Sequence, residues 1–347
     1  MFSFVRPILA RLDPERAHRL TVRALSLLPG QAAPASAPEL AIDLAGMRFA
    51  NPLGIAAGFD KDAEVPAQLF GLGFGFVEVG SLTPEPQAGN PQPRLFRLAE
   101  DGAVINRMGF NNGGAAAAAA RIAALRRRGR LLPGPLGINI GANKDSADRV
   151  ADYRVMAETM APLADYLAVN ISSPNTPGLR ALQDESALTG LLEAVLEGRG
   201  GAHSTPIFLK VAPDLDPADI DAIARIALDC RLDALIVANT TVSRPMLRSR
   251  HGTETGGLSG TPLRPLALQT LRNFRRATGG AIPLVGVGGI ATAADAWERI
   301  RAGASLVQLY SALVYGGPGL PRRMLREMEG LMRRDGFTSV AEAVGSE

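Results

Sequence analysis

Eight short apolar runs, at residues 54–58, 74–80, 136–140, 166–171, 207–211, 234–238, 284–288 and 306–309, punctuate this chain. Helix-period stretches separate them, for example at 147–160, 187–196, 218–228, 264–277 and 293–302. A short run with no polar alternation reads as a strand buried on both faces, and such strands joined by helices make a parallel sheet. Eight units of this kind predict a closed (β/α)8 TIM barrel. An open doubly wound sheet is the competing arrangement. It is disfavoured because the first strand–helix turn, Gly54-Ile55-Ala56-Ala57-Gly58 leading into Phe59-Asp60-Lys61, lacks a G-x-G-x-x-G pattern.

At 347 residues and 46% hydrophobic content, the chain can bury one large core, and barrels keep this length as a single domain. Lys+Arg 37 against Asp+Glu 34 leaves only +3, too balanced to point to nucleic acid. The single cysteine, Cys230, has no internal partner, so a reduced compartment and a structural thiol are expected. His18, His203 and His251 share no ligand spacing, and no metal site is expected. No apolar run reaches the roughly 18 residues of a spanning helix. Arg6, Arg11 and Arg16 interrupt the only apolar start, so no signal peptide is expected.

Residues 1–28 read as two short helices separated by Leu12-Asp13-Pro14, with Asp13 as N-cap and Pro14 at the first helical position. Phe2, Phe4, Val5, Ile8, Leu9 and Leu12 give the first an apolar face; Leu20, Leu25, Leu27 and Leu28 give one to the second. Arginines at 6, 11, 16, 19 and 23 against Asp13 and Glu15 leave +3, five minus two. That pattern fits an element lying on an anionic membrane surface, and equally a hairpin packed on the protein's own body. Residues 31–38, rich in Ala and Pro, read as a linker that lets the pair sit apart.

Two connections are long. Residues 81–114 carry four prolines and then a hairpin in which 94–97 and 104–107 flank Asp101-Gly102; an alanine-rich helix ending in Arg126-Arg127-Arg128 follows. The other insertion spans 241–260. A barrel builds its site at the C-terminal ends of its strands. Those ends deliver Asp60-Lys61, Ser81, Asn139 with Lys144 beyond it, Asn170 and Ser173, Lys210, Asn239-Thr240, Gly288-Gly289 and Tyr310-Ser311. After the fourth strand, Pro174, Pro177 and Gly178 forbid continuation and gather Asn170, Ser173, Asn175 and Thr176 at its mouth, which alone suits a site or an ordinary turn equally. The three lysines, Lys61, Lys144 and Lys210, all fall at or just past a strand end, where a compact ammonium suits a carboxylate, phosphate or anionic ring. Glycines at 286, 288 and 289, with Tyr310-Ser311, suit a phosphate on backbone N–H groups. With neither a histidine nor a carboxylate pair at the mouths, a bound cofactor is expected to supply the reactivity.

The motifs resemble those of the dihydroorotate dehydrogenases, specifically the membrane-associated, quinone-dependent class. The resemblance rests on Pro14-Glu15-Arg16-Ala17-His18, Ala56 to Lys61, Thr83 to Pro91, Asn106-Arg107-Met108-Gly109-Phe110-Asn111-Asn112, Asn170 to Arg180 and Gly286 to Ile290, and covers essentially the whole chain. It implies an FMN flavoprotein, an oxidoreductase of pyrimidine biosynthesis that oxidises (S)-dihydroorotate to orotate with a membrane quinone as acceptor. Ser173 falls at the catalytic base, where a serine rather than a cysteine marks this class, with Thr176 and a water beside Phe110 as its proton relay. The resemblance places Lys61, Asn106, Arg107, Met108, Gly109, Phe110, Asn170, Asn175, Asn239 and Thr240 on the substrate. It places Ala57, Gly58, Phe59, Asp60, Lys61, Ser81, Asn139, Asn170, Lys210, Ala238, Gly260, Gly289, Tyr310 and Ser311 on the cofactor, with Lys210 beside flavin N1 and O2. Ala238 stands where the family often has threonine, so only a backbone contact is expected there. His18 and Arg97 are expected at the quinone. Residues 1–30 become a membrane- and quinone-binding segment and 39–336 the FMN-binding barrel, peripheral to the cytoplasmic side of the cell inner membrane, with lipids but no nucleic acid as partners.

Two other functions compete. A tRNA dihydrouridine synthase is another FMN barrel, and needs a basic RNA face for which 121–130 is the only concentrated candidate. A non-catalytic membrane-surface protein would use the N-terminal pair alone.

Overall fold

The chain enters its barrel through a hairpin, β1 (Ile42–Leu44) and β2 (Met47–Phe49), in which Ile42 faces Phe49. The computed structural model describes residues 7, 11–30, 33–127, 132–176, 178–201 and 204–347. Next come β3 (Leu53–Ile55) and β4 (Phe76–Leu82), then a second hairpin, β5 (Leu95–Leu98) and β6 (Ala103–Asn106), outside the barrel. The strands β7 (Leu136–Ile140), β8 (Tyr166–Asn170), β9 (Ile207–Val211) and β10 (Ala234–Val237) follow, then β11 (Gly257–Gly260), β12 (Leu284–Val287) and β13 (Ala304–Leu309). Eight of them close in the order β3-β4-β7-β8-β9-β10-β12-β13, every neighbouring pair parallel. The expected TIM barrel forms, and its eight strands are the eight apolar runs.

All seven residues of β4 and all five each of β7, β8 and β9 are buried, because the barrel fills one face and helices cover the other. Two interior positions must be glycine. A Cβ on Gly54 would lie 2.3 Å from the Phe76 ring, and one on Gly137 would lie 2.1 Å from Cζ of Tyr166. The small residue on one strand makes room for the large ring on its neighbour.

The covering helices are α1 (Pro14–Ser26), α2 (Pro66–Phe70), α3 (Ala115–Arg127), α4 (Arg149–Met160), α5 (Glu185–Arg199), α6 (Pro217–Asp229), α7 (Arg264–Ala277), α8 (Ala293–Arg301), α9 (Ser311–Gly316) and α10 (Leu320–Arg334). Capping boxes start two of them. Asp216 accepts from Asp219 N–H at 3.0 Å before α6, and Thr292 from Asp295 N–H at 3.1 Å before α8, each third residue reaching back in turn. The strand β11 pairs with the free edge of β6, Gly257 opposite Asn106, so a three-stranded antiparallel sheet with its own small core of Phe96, Leu98, Ala103, Ile105 and Leu258 stands beside the barrel.

Asp13 caps α1 as expected, accepting from Arg16 N–H at 2.9 Å. Of the first expected helix, residues 1–6 and 8–10, with Phe2, Phe4, Val5, Arg6, Ile8 and Leu9, lie outside the described residues; so do Arg128, Pro177 and His203. α1 does not sit apart from the body. Ala17 and Val22 are buried against it, Gln68 donates to Leu28 O at 3.0 Å, and Arg97 donates to Leu12 O. Its other side leaves Leu20, Leu27 and Leu28 47%, 86% and 51% exposed. No helix among the described residues is long and apolar enough to cross a membrane.

Candidate active site

A buried carboxylate lies beneath the strand ends. β4 carries Glu78 into the barrel interior, fully buried, where it accepts from Asn139 Nδ2 at 2.9 Å, Gln308 Nε2 at 2.7 Å and Tyr166 OH at 3.1 Å, with Lys210 Nζ 3.7 Å away. Burial and the Glu78 charge push the Tyr166 phenol well above its ordinary range, so it stays a donor. With its amide nitrogen committed downward, Asn139 turns Oδ1 upward to accept from Ser81 Oγ and from Asn170 Nδ2 at 3.2 Å. Asn170 Oδ1 then accepts from Asn239 Nδ2 at 3.1 Å and Ser172 Oγ at 3.2 Å. One network therefore ties together the ends of β4, β7, β8 and β10, and its members hold each other's amide orientation.

Above it, Ser173 is 6% exposed and its Oγ accepts from Asn175 N–H at 3.3 Å. Asn175 Nδ2 donates to Asn106 Oδ1 at 3.1 Å, and Asn90 Nδ2 braces the backbone of both loops at Arg107 O and Asn175 O. Lys144 Nζ donates to Asn90 Oδ1 at 3.1 Å. Arg180 donates to Ser172 O at 3.2 Å and Thr240 O at 3.1 Å while pairing with Asp214 at 3.0 Å, stapling the loops after β8 and β10. The Thr176 hydroxyl is buried with no partner.

These groups face a cavity of about 1840 Å3. Ser173, Asn175, Asn106 and Lys61 border it at the polar end, together with Met108, Gly109, Phe110, Asn239 and Thr240. Lys210, Ser81, Asn170, Gln308, Ala57, Gly58 and Ala238 border it around the strand ends. Gly260, Gly289, Tyr310 and Ser311 line a further wall, where Ser311 Oγ is 2.7 Å from Ser259 Oγ. The cavity continues past Phe59 and His18 to Arg97 and to Leu20, Leu25 and Leu28 of α1. His18 meets Phe59 edge-on at 5.3 Å and Tyr310 at 6.3 Å; burial, then the Lys61 and Arg19 charges, push its pKa down to about 3, so it is neutral. Lys61 donates to Gly58 O at 2.7 Å, and burial lowers its pKa to about 8.

Four expected site residues do not line the cavity. Asn139 lies one layer below it, and Thr176 is buried without lining it. Asp60 is spent on structure: its carboxylate accepts from Glu64 and Val65 N–H, each at 2.8 Å, and burial raises its pKa to about 6. The Arg107 guanidinium clamps the 241–260 insertion, pairing with Glu254 at 2.9 Å and lying 4.6 Å from the Phe96 ring centre, so its side chain is engaged outside the cavity. No role for Glu78, Tyr166, Gln308, Asn90 or Arg180 was expected from the sequence. A lone charge inside the apolar run 74–80 signals Glu78, and Asn90 and Arg180 lie inside the motifs Thr83 to Pro91 and Asn170 to Arg180; Tyr166 and Gln308 carry no such signal.

Residues 39–332 match the sequence profile of the family described as dihydroorotate dehydrogenase. The chain belongs to that family. Among its relatives, the dihydroorotate dehydrogenase (quinone) of Novosphingobium aromaticivorans is 65% identical over 347 residues, covering 100% of this chain and 99% of the relative. The protein of the same name from Erythrobacter litoralis is also 65% identical, over the whole of both chains. A crystal structure of DHODH in complex with ferulenol from Eimeria tenella superposes with a TM-score of 0.93 at 39% identity, covering 99% of this chain and 98% of that one. The family match over 39–332 thus contains the whole barrel read from strand periodicity.

Proposed function

We propose that this chain oxidises (S)-dihydroorotate to orotate with FMN and passes the electrons to a membrane quinone, as a peripheral enzyme of pyrimidine biosynthesis on the cytoplasmic side of the inner membrane. One observation carries the reading: the amide-lined pocket at Ser173 and the leucine-lined end at α1 belong to a single cavity. A polar reductant and an apolar oxidant can both reach one continuous volume. Residues 1–30 then serve as the membrane- and quinone-binding segment, with His18 and Arg97 at the quinone, and 39–336 as the FMN barrel.

The donor set fits a flavin. Lys210 Nζ, the Asn170 amide and the Ser81 hydroxyl complement a ring edge of carbonyls and an N–H, and Gln308 Oε1 is a buried acceptor still without a partner. Gly260, Gly289, Tyr310 and Ser311 suit the ribityl phosphate. When bound, FMN supplies the hydride acceptor and the electron relay.

The protein's own groups do the rest. Lys61 balances the substrate carboxylate, and Asn106, Asn170, Asn175, Asn239 and Thr240 meet the ring's donors and acceptors. Ser173 Oγ takes the proton from C5. A serine hydroxyl is a weak base at its ordinary pKa, so that proton must move on, and the unpartnered Thr176 hydroxyl with a water beside Phe110 offers the route. Lys210 sets a positive charge where negative charge develops on the reduced cofactor. The test is an absorption spectrum of the purified protein before and after anaerobic dihydroorotate. A flavin band that bleaches supports the reading; a colourless protein, or a band unmoved by dihydroorotate, overturns it.

A further inference from the structure

We infer that Glu78 is a positioning residue for the reaction: from beneath the cofactor site it fixes the Asn139 amide and supplies the counter-charge for Lys210. This rests on the flavin reading above. A carboxylate inside an apolar barrel is costly unless every lone pair is met, and here both oxygens are met. Oε1 takes Asn139 Nδ2 and faces Lys210; Oε2 takes Tyr166 OH and Gln308 Nε2. Three of those four partners, Asn139, Lys210 and Gln308, connect directly to the cavity or to groups that border it.

Two consequences follow. Without Glu78, nothing below Asn139 dictates which end of its amide points up, and Ser81 and Asn170 lose the acceptor that aligns them. The carboxylate also offsets the Lys210 charge, and an anion near a flavin opposes electron uptake by the ring. Removing the charge alone should therefore ease reduction.

Glu78→Gln removes the charge at constant shape. The new amide can face Tyr166, whose hydroxyl can turn to accept, and Gln308, whose Oε1 turns inward and away from the cavity, while the remaining oxygen still accepts from Asn139; Gln308→Leu, which loses the same acceptor but keeps the Glu78 charge, is measured beside it as the control. The expected result is a more positive flavin midpoint potential, by about tenfold in the reduction equilibrium, or about 30 mV for a two-electron couple. A folded, flavin-loaded E78Q with the wild-type potential overturns the counter-charge role. Glu78→Asp keeps the charge but draws it back by one methylene from Asn139, so flavin should be lost several-fold faster on dialysis with the potential nearly unchanged; wild-type retention overturns the positioning role. A wild-type chain that carries no flavin would fail the function itself, a distinct outcome from either variant result.

Discussion

Glu15 Oε1 and Arg94 Nη2 lie 2.6 Å apart with their side chains only 14% and 9% exposed, joining α1 to the loop whose Asn90 braces the backbone at Arg107 and Asn175. Arg94 also donates through Nε to the second Glu15 oxygen at 3.0 Å and through Nη1 to Ala88 O at 2.6 Å and Asn90 O at 2.8 Å. Asn90 in turn holds Asn175 and Lys144. The apolar mouth and the polar pocket are thus mechanically linked through one guanidinium.

Breaking that link should be expensive. Arg94→Ala leaves the half-dry Glu15 carboxylate without its ion-pair partner and with only Gln92 Nε2 donating to it at 3.0 Å, and is expected to cost about 3 kcal/mol in urea unfolding. A loss below 0.5 kcal/mol, roughly the effect of a surface pair, would show that the bridge is decorative.

Acid should loosen the same contact. The Arg94 hydrogen bond holds the Glu15 carboxyl below its ordinary 4.5, although burial opposes the shift. Because the folded pKa is depressed, the stabilisation is complete above the unfolded value and is lost as pH falls through the folded one. Amide hydrogen exchange across α1, corrected for the intrinsic pH dependence of exchange, should therefore lose protection only below about pH 4.5; protection unchanged from about pH 6 to about pH 3.5 would show that the pair does not hold the helix.

Lys61 predicts the opposite limb. Its pKa of about 8 leaves it charged at neutral pH and neutral above, so KM for dihydroorotate should be flat below pH 7 and climb past pH 8. Lys61→Met should raise KM by about 10- to 100-fold, the worth of a charged hydrogen bond, and abolish the climb. A persistent climb in that variant would assign it to another group.

Ser173→Ala should slow flavin reduction by dihydroorotate about 100-fold or more in stopped flow, while flavin content and orotate binding persist. Thr176→Ala should slow the same step less, about tenfold, since a water can replace part of a relay but not the base. Equal rates for T176A and wild type would remove Thr176 from the proton path.

Deleting residues 1–30 should abolish quinone reduction and release the protein from vesicles, yet spare flavin reduction by dihydroorotate. Unchanged quinone turnover would strip α1 of its proposed role.

The barrel was readable because burial on both faces writes strands as plain apolar runs; 136–140 and 207–211 agree to the residue with β7 and β9. β11 was not, since Gly257 and Gly260 have little strand preference and the segment is extended by partners distant in sequence, the β6 edge at Asn106 and a bridge from Leu258 to Thr241. The mouth residues were readable from strand ends and motif, but side-chain direction was not: Arg107 sits inside a motif that borders the cavity while its guanidinium grips Glu254. Glu78 was hidden for a related reason. Its partners arrive from β7, β8, β9 and β13, so no local window contains the arrangement.

The chamber that runs from Ser173 to Leu28 puts the amides and the leucines at opposite ends of one room. On the proposed assignment neither visitor must vacate for the other to arrive, and orotate can linger while the oxidant docks among the leucines. A greasy molecule wedged between α1 and the barrel would accordingly throttle turnover without competing for the amide pocket, and raising dihydroorotate would not dislodge it.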